Sequence, residues 1–133
     1  MAMIIRKTFP ALLDTRREVF AAAVWQVRSN VWSPPTDIYE TEENLVVKME
    51  IAGTREEDLE VALQKNLLLV NGSRSDTSEE RRAYHQMEIP FGKFSTAIEL
   101  PLPVDVEQAH AEYKDGFLTI ILPKAKPKQI EVE

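Results

Sequence analysis

At 133 residues the chain can build one hydrophobic core but not two. Its composition, 44% hydrophobic and 29% charged, excludes wholesale disorder, and the absence of cysteine excludes disulfides, thiolate metal sites and cysteine nucleophiles. The formal net charge of −6 divides into +3 over residues 1–35 and −9 over residues 36–133, and so acidic a body argues against a nucleic-acid-binding surface.

In chain order, the first predicted element is a helical arm over residues 1–33. Thr15-Arg16-Arg17-Glu18 has the form of a capping box, and Phe20, Ala23, Val24, Val27 and Val31 then recur on one helical face. Ile4, Ile5, Phe9, Leu12 and Leu13 add apolar surface upstream. An arm this short cannot bury that surface alone, so its own domain, another subunit or a bound protein must cover it. The apolar stretch Val19–Val27 is too short for a membrane span, which needs about twenty residues. Asp14, Arg16, Arg17 and Glu18 would interrupt the core of a secretory signal. A cytoplasmic protein is expected, and cysteine's absence fits a reducing compartment.

Ser33-Pro34-Pro35 ends the helical pattern, because proline lacks an N–H and clashes with the preceding turn. From there the apolar period is two, the period of strands. Ile38 and Tyr39 mark a short first strand. Leu45, Val47, Met49 and Ile51 alternate with Val46, Lys48 and Glu50. Similar alternation runs through Leu59–Gln64, Phe94–Leu100 and Ala109–Lys114. Leu67–Val70 and Phe117–Leu122 are near-continuous apolar runs and predict strands covered on both faces. Lys65-Asn66 and Asp115-Gly116 supply tight turns, while Asn71-Gly72-Ser73, formally a glycosylation sequon, reads as a strand-ending turn. The long connection from Gly72 to Gly92 carries a strand-like Tyr84-His85-Gln86-Met87, and so long a loop in a compact domain is normally functional. The whole predicts an all-β, immunoglobulin-like sandwich over residues 34–124, followed by an extended tail over residues 125–133.

Several segments, in order, resemble the small heat-shock protein family with its α-crystallin domain. The most specific is Ala111-Glu-Tyr-Lys-Asp-Gly116-Phe117-Leu118 with its trailing Pro123-Lys124, similar to the family's A-x-x-x-n-G-V-L signature. Gly92-Lys-Phe94 running to Leu100-Pro101, Ala52-Gly53 with Leu59-Glu-Val61, and Asn66–Gly72 resemble further strands of that domain. Glu80-Arg-Arg-Ala-Tyr84-His85 is similar to its loop, and Ile130-Glu-Val132 to its I-x-I/V tail motif. Three positions depart: Phe117 stands for valine, Ala52 for proline, and Thr96 for an arginine that makes subunit contacts in parts of the family.

The resemblance implies an ATP-independent chaperone, a holdase that binds unfolding proteins under stress and is not an enzyme. It implies dimers formed by strand exchange, with Tyr84, His85 and Gln86 pairing onto a neighbour's Asp37, Ile38 and Tyr39. Ile130 and Val132 would anchor the tail in a neighbour's groove, since residues two apart in an extended segment point the same way. Larger homo-oligomers would follow. Phe9, Leu12, Phe20, Trp25 and Trp32 are the expected client contacts. Downstream ATP-dependent chaperones are expected partners, and no cofactor is.

The residues agree with that absence of chemistry. The glycines at 53, 72, 92 and 116 form no phosphate-cradling loop. His85 and His110 lie in different strand patterns without metal-ligand spacing, and Glu56-Glu57-Asp58 lacks the order of a calcium loop. A p23-type sandwich co-chaperone is the competing reading, but that class lacks both the Tyr84-His85 loop and the Ile130/Val132 tail. A small hydrolase using Ser or Asp with His finds no suitable spacing.

Overall fold

A computed structural model describes residues 31–76 and 79–126, together with the backbone of residues 2–3. Eight strands are described: β1 (Ala2–Met3), β2 (Thr36–Glu40), β3 (Asn44–Glu50), β4 (Leu59–Gln64), β5 (Leu67–Arg74), β6 (Gly92–Glu99), β7 (His110–Lys114) and β8 (Phe117–Pro123). They form two antiparallel sheets, one of five strands in the order β1-β7-β8-β3-β2 and one of three in the order β4-β5-β6. Short 3-10 turns at Glu56–Asp58 and Val106–Gln108 lead into β4 and β7. The architecture is the all-β sandwich that the alternating pattern predicts. Among the described residues no helix is long and apolar enough to cross a membrane.

Alternation builds the core. Leu45, Val47 and Met49 of β3 face inward with Leu118, Ile120 and Leu122 of β8, and all six are at most 1% exposed. Val61, Leu63, Leu68, Val70, Phe94 and Ile98 of the smaller sheet close against them. Burying side chains of this size stabilises by roughly 1.5–3 kcal/mol each against exposure.

The tight turns are as expected. Asp115 and Gly116 both take positive φ, 54° and 84°, the pair of values that a two-residue hairpin with the natural twist requires. A side chain at Gly116 would also lie 2.8 Å from the Ala52 Cβ, which explains glycine there.

Three local expectations change. β8 is not covered on both faces: Leu118, Ile120 and Leu122 are buried, but Phe117 is exposed and Thr119 and Ile121 are half-buried. Its outer face turns away from the second sheet, and apolar content alone did not reveal that. Asn71-Gly72-Ser73 does not end β5, which continues through it to Arg74 paired with Gly92–Phe94. Gly72 is needed because the Phe94 ring lies over it, where any Cβ would collide. Finally, Ala2–Met3 is extended and pairs with Ala111–Glu112, giving the edge of β7 a hydrogen-bonding partner. The expected arm helix lies outside the described residues.

Candidate functional site

Among the described residues no group of three or more His, Asp or Glu could hold a metal ion. What the sandwich offers instead is an open strand edge and a solvent-facing apolar loop.

The open edge is β2. It pairs with β3 on one side and ends the five-stranded sheet on the other. Unpaired backbone N–H and C=O groups along such an edge are a template for another strand. Ile38 lies opposite Val47, whose side chain is in the core, yet Ile38 is 44% exposed. Ile38 is therefore outside the core cluster although it shares the face of Val47. Tyr39, on the outer side, is also exposed. Asp37, Ile38 and Tyr39, the residues expected to receive a neighbour's strand, all lie on this edge.

The loop after β5 provides the complementary part. Residues 79–91 are all exposed and contain no strand. Tyr84, Met87, Ile89 and Phe91 therefore present large apolar side chains to solvent. Tyr84, His85 and Gln86 have no strand partner among the described residues, so within one chain the two halves of the expected exchange pair are not brought together.

Both roots of the loop are tied. Arg81 grips the Asp76 carboxylate through two N–H groups, one at 2.9 Å, donates to the Tyr84 hydroxyl and lies over its ring at 5.3 Å. The hydrogen bond to Asp76 is the main cause that raises the Arg81 pKa above its ordinary value. At the other root, half-buried Arg74 donates to the Ala52 carbonyl and to the Pro90 carbonyl, each at 3.1 Å. Its guanidinium also lies 4.5 Å from the centre of the Trp32 ring and 5.4 Å from that of Phe91. One arginine thus joins the chain entering the domain, the turn after β3 and the end of the loop. Nothing in the sequence singled out Arg74, because its partners are 16 to 42 positions away.

Trp32 is placed differently from a free contact. Its Nε1 donates to the Gly92 carbonyl at 3.2 Å, and its ring meets Phe94 edge-on at 5.2 Å. Its backbone runs parallel to β6, donating to Lys93 and accepting from Ser95. The indole is half-buried against its own domain. Thr96, the residue that departs from the arginine of the family pattern, meets the Ser33 hydroxyl at 3.1 Å and so braces the same entering segment.

The tail leaves from β8. Lys124 donates its N–H to Glu43 and its Nζ pairs with Glu40 at 2.9 Å, while Ala125 bonds Pro103. Nearby, Leu100, Leu102, Val104 and Val106 line a cleft of about 450 Å³ at the end of the sandwich. Ile130 and Val132, like Phe9, Leu12, Phe20 and Trp25, lie outside the described residues. The signature residues divide by role: Ala111 and Leu118 are in the core, Gly116 makes the turn, and Pro123 ends β8. Phe117 is exposed with the Lys48 ammonium 4.8 Å over its ring.

Comparison with known proteins gives a consistent pattern. Residues 37–133 match the family model described as "Hsp20/alpha crystallin family". "Small heat shock protein C4" of Rickettsia felis is 33% identical over 108 residues, covering 78% of this chain and 66% of that protein. The "Probable 15 kDa heat shock protein" of Leptospira interrogans is 33% identical over 127 residues, covering 94% of this chain and 97% of that one. Among solved structures, a small heat-shock protein from Xylella fastidiosa, described as having a distinct high order structure, superposes with a TM-score of 0.64. It is 28% identical, over 77% of this chain and 97% of that one.

Proposed function

The chain belongs to the Hsp20/alpha crystallin family, and we propose that it works as a small heat-shock protein, an ATP-independent chaperone that holds unfolding proteins and keeps them from aggregating. The observation that carries this reading is the pairing, on one sandwich, of an unpartnered strand edge with an exposed apolar loop. Such a surface is built for association and not for turnover.

Two chains exchange strands. Tyr84, His85 and Gln86 of one lie along Asp37, Ile38 and Tyr39 of the other, satisfying backbone groups at β2 and covering Ile38. Ile130 and Val132 then link dimers by filling an apolar groove at the sandwich end. Single contacts of this kind are weak, and their repetition in a closed assembly makes them strong through effective concentration. Residues 1–33 and 125–133 act as assembly and client segments around the domain of residues 34–124. Phe9, Leu12, Phe20 and Trp25 contact clients, whereas the engaged indole of Trp32 supports the domain itself. The protein works in the cytoplasm and passes clients to ATP-dependent chaperones.

The test is light scattering of a heat-labile enzyme, warmed with and without this protein in buffer free of nucleotide. Suppression near one chain per client chain is expected. No suppression at any ratio or temperature would remove the holdase reading and favour a sandwich adaptor that needs a dedicated partner. Deleting residues 1–30, which keeps Trp32, is expected to abolish protection. Full protection by the truncated chain would overturn the assignment of client contacts to the arm.

A further inference from the structure

The open edge and the loop that fills it carry opposite charge at matching ends. β2 runs into a tight connection over residues 41–44, closed by the Thr41 N–H on the Asn44 carbonyl at 2.8 Å and by the Asn44 N–H on the Thr41 hydroxyl at 3.0 Å. Glu42 and Glu43 stand exposed at its tip, and neither has an ion-pair partner among the described residues. The Lys124 ammonium, whose backbone bonds Glu43, is taken by Glu40 at 2.9 Å. Near the other end of β2 a single carboxylate, Asp37, lies directly across from Lys48. Unbalanced negative charge therefore gathers where β2 ends. The loop has the reverse order. Arg81-Arg82 opens the stretch over residues 81–88 and Glu88 closes it. Arg81 is committed to Asp76 and Tyr84, whereas its exposed neighbour Arg82 has no partner among the described residues.

We propose that Arg82 of one chain seats on the Glu42 and Glu43 carboxylates of a second copy, and that this contact fixes the direction in which the loop is accepted at β2. The contact presupposes the strand exchange proposed above and sets its orientation. Backbone hydrogen bonds along a free edge are satisfied by a strand running either way, with only a slight preference for the antiparallel pair. Side-chain charge separates the two. Antiparallel, with Tyr84 opposite Tyr39 and Gln86 opposite Asp37, Arg82 comes opposite Thr41. Glu42 and Glu43 then lie about 3 and 7 Å further along the edge, within reach of an arginine side chain. Parallel, with Tyr84 opposite Asp37, Glu88 falls opposite Thr41 and meets the same carboxylates. Like charges facing across strands are destabilising. A symmetric pair of chains contains the contact twice. Exposed ion pairs are individually weak, so the effect falls more on which partner and direction are accepted than on raw affinity. A neighbour without the acidic turn, or with an acidic residue in place of Arg82, is disfavoured.

Charge reversal in the full chain tests the contact. Single chains released on dilution are measured by analytical ultracentrifugation for Arg82→Glu, for Glu42→Lys combined with Glu43→Lys, for the three changes together, and for an equal mixture of the first two proteins. Each of the first two is expected to associate roughly tenfold more weakly than the wild type, because a symmetric pair loses two attractions and gains two repulsions. The triple variant is expected to recover wild-type association, since opposite charges again meet at the same positions. So is the mixture, because in a mixed pair both contacts join opposite charges. Sodium chloride at about 1 M, where charges act only within about 3 Å, is expected to weaken the wild type and strengthen Arg82→Glu. Wild-type association of Arg82→Glu, or a triple variant no better than Arg82→Glu, would overturn the proposal. Gln86→Pro keeps two kinds of failure apart. If it releases single chains while Arg82→Glu does not, the exchange stands and the contact falls. If neither releases them, the exchange reading fails and takes the contact with it.

Discussion

At the scale of the residue, two positions matter more than their chemical type suggests. Gly72 looks like turn punctuation but sits within β5 beneath the Phe94 ring, with the Cε1 of Phe94 only 2.7 Å from where a Cβ would stand. Gly72→Ala must push a core aromatic aside, and overpacking of this kind costs about 1–3 kcal/mol. A fall of several degrees in the thermal midpoint is expected in calorimetry. A wild-type midpoint would mean that Phe94 can move without loss. Arg74 is the second. Its planar fork reaches two carbonyls while its face lies near two rings, a combination lysine cannot reproduce. Arg74→Lys should therefore weaken the loop root almost as much as Arg74→Ala, by about 1 kcal/mol. Faster tryptic cleavage at Arg81 and Arg82 in both variants is the readout. Full rescue by lysine would show that charge alone suffices.

At the scale of the element, β2 and the loop over residues 79–91 are each incomplete. β2 has the pattern of a strand and a partner on one side only, and the loop carries apolar side chains without a strand to place them in. Proline removes an N–H and is tolerated in a loop but not inside a ladder. Gln86→Pro should thus leave the thermal unfolding of the isolated sandwich nearly unchanged and shift the sedimenting species toward single chains. A variant that sediments like the wild type would argue that the Tyr84–Gln86 segment adds no strand to a neighbour. The alternation legible in β3, β4, β6 and β7 was sufficient to place those strands and their inward faces. It failed for β8 and for the end of β5, because an outward Ile121 reads like a core residue and a strand glycine reads like a turn. In both cases the deciding fact is which neighbour lies above the residue, and that neighbour is distant in sequence.

At the scale of the whole molecule, assembly follows from repetition. If the tails link dimers, changing Ile130 and Val132 to Ala together should reduce the assembly to dimers in light-scattering chromatography without altering the domain's circular dichroism. An unchanged mass would assign the assembly to the arm. The reach of each contact matters more than its strength here, because linked weak contacts gain avidity only when geometry lets them act together.

The sequence by itself determined the all-β class, the turns at Lys65-Asn66 and Asp115-Gly116, the inward residues of most strands and the family. These follow from local periodicity, turn stereochemistry and short motifs, each contained within a few neighbouring residues. Only the tertiary structure decided that Trp32 belongs to the sandwich, that Arg74 ties three segments, that Gly72 lies under Phe94 and that Ile38 stays exposed on the open edge. Each of those depends on surfaces brought together by packing, across separations that no local pattern encodes.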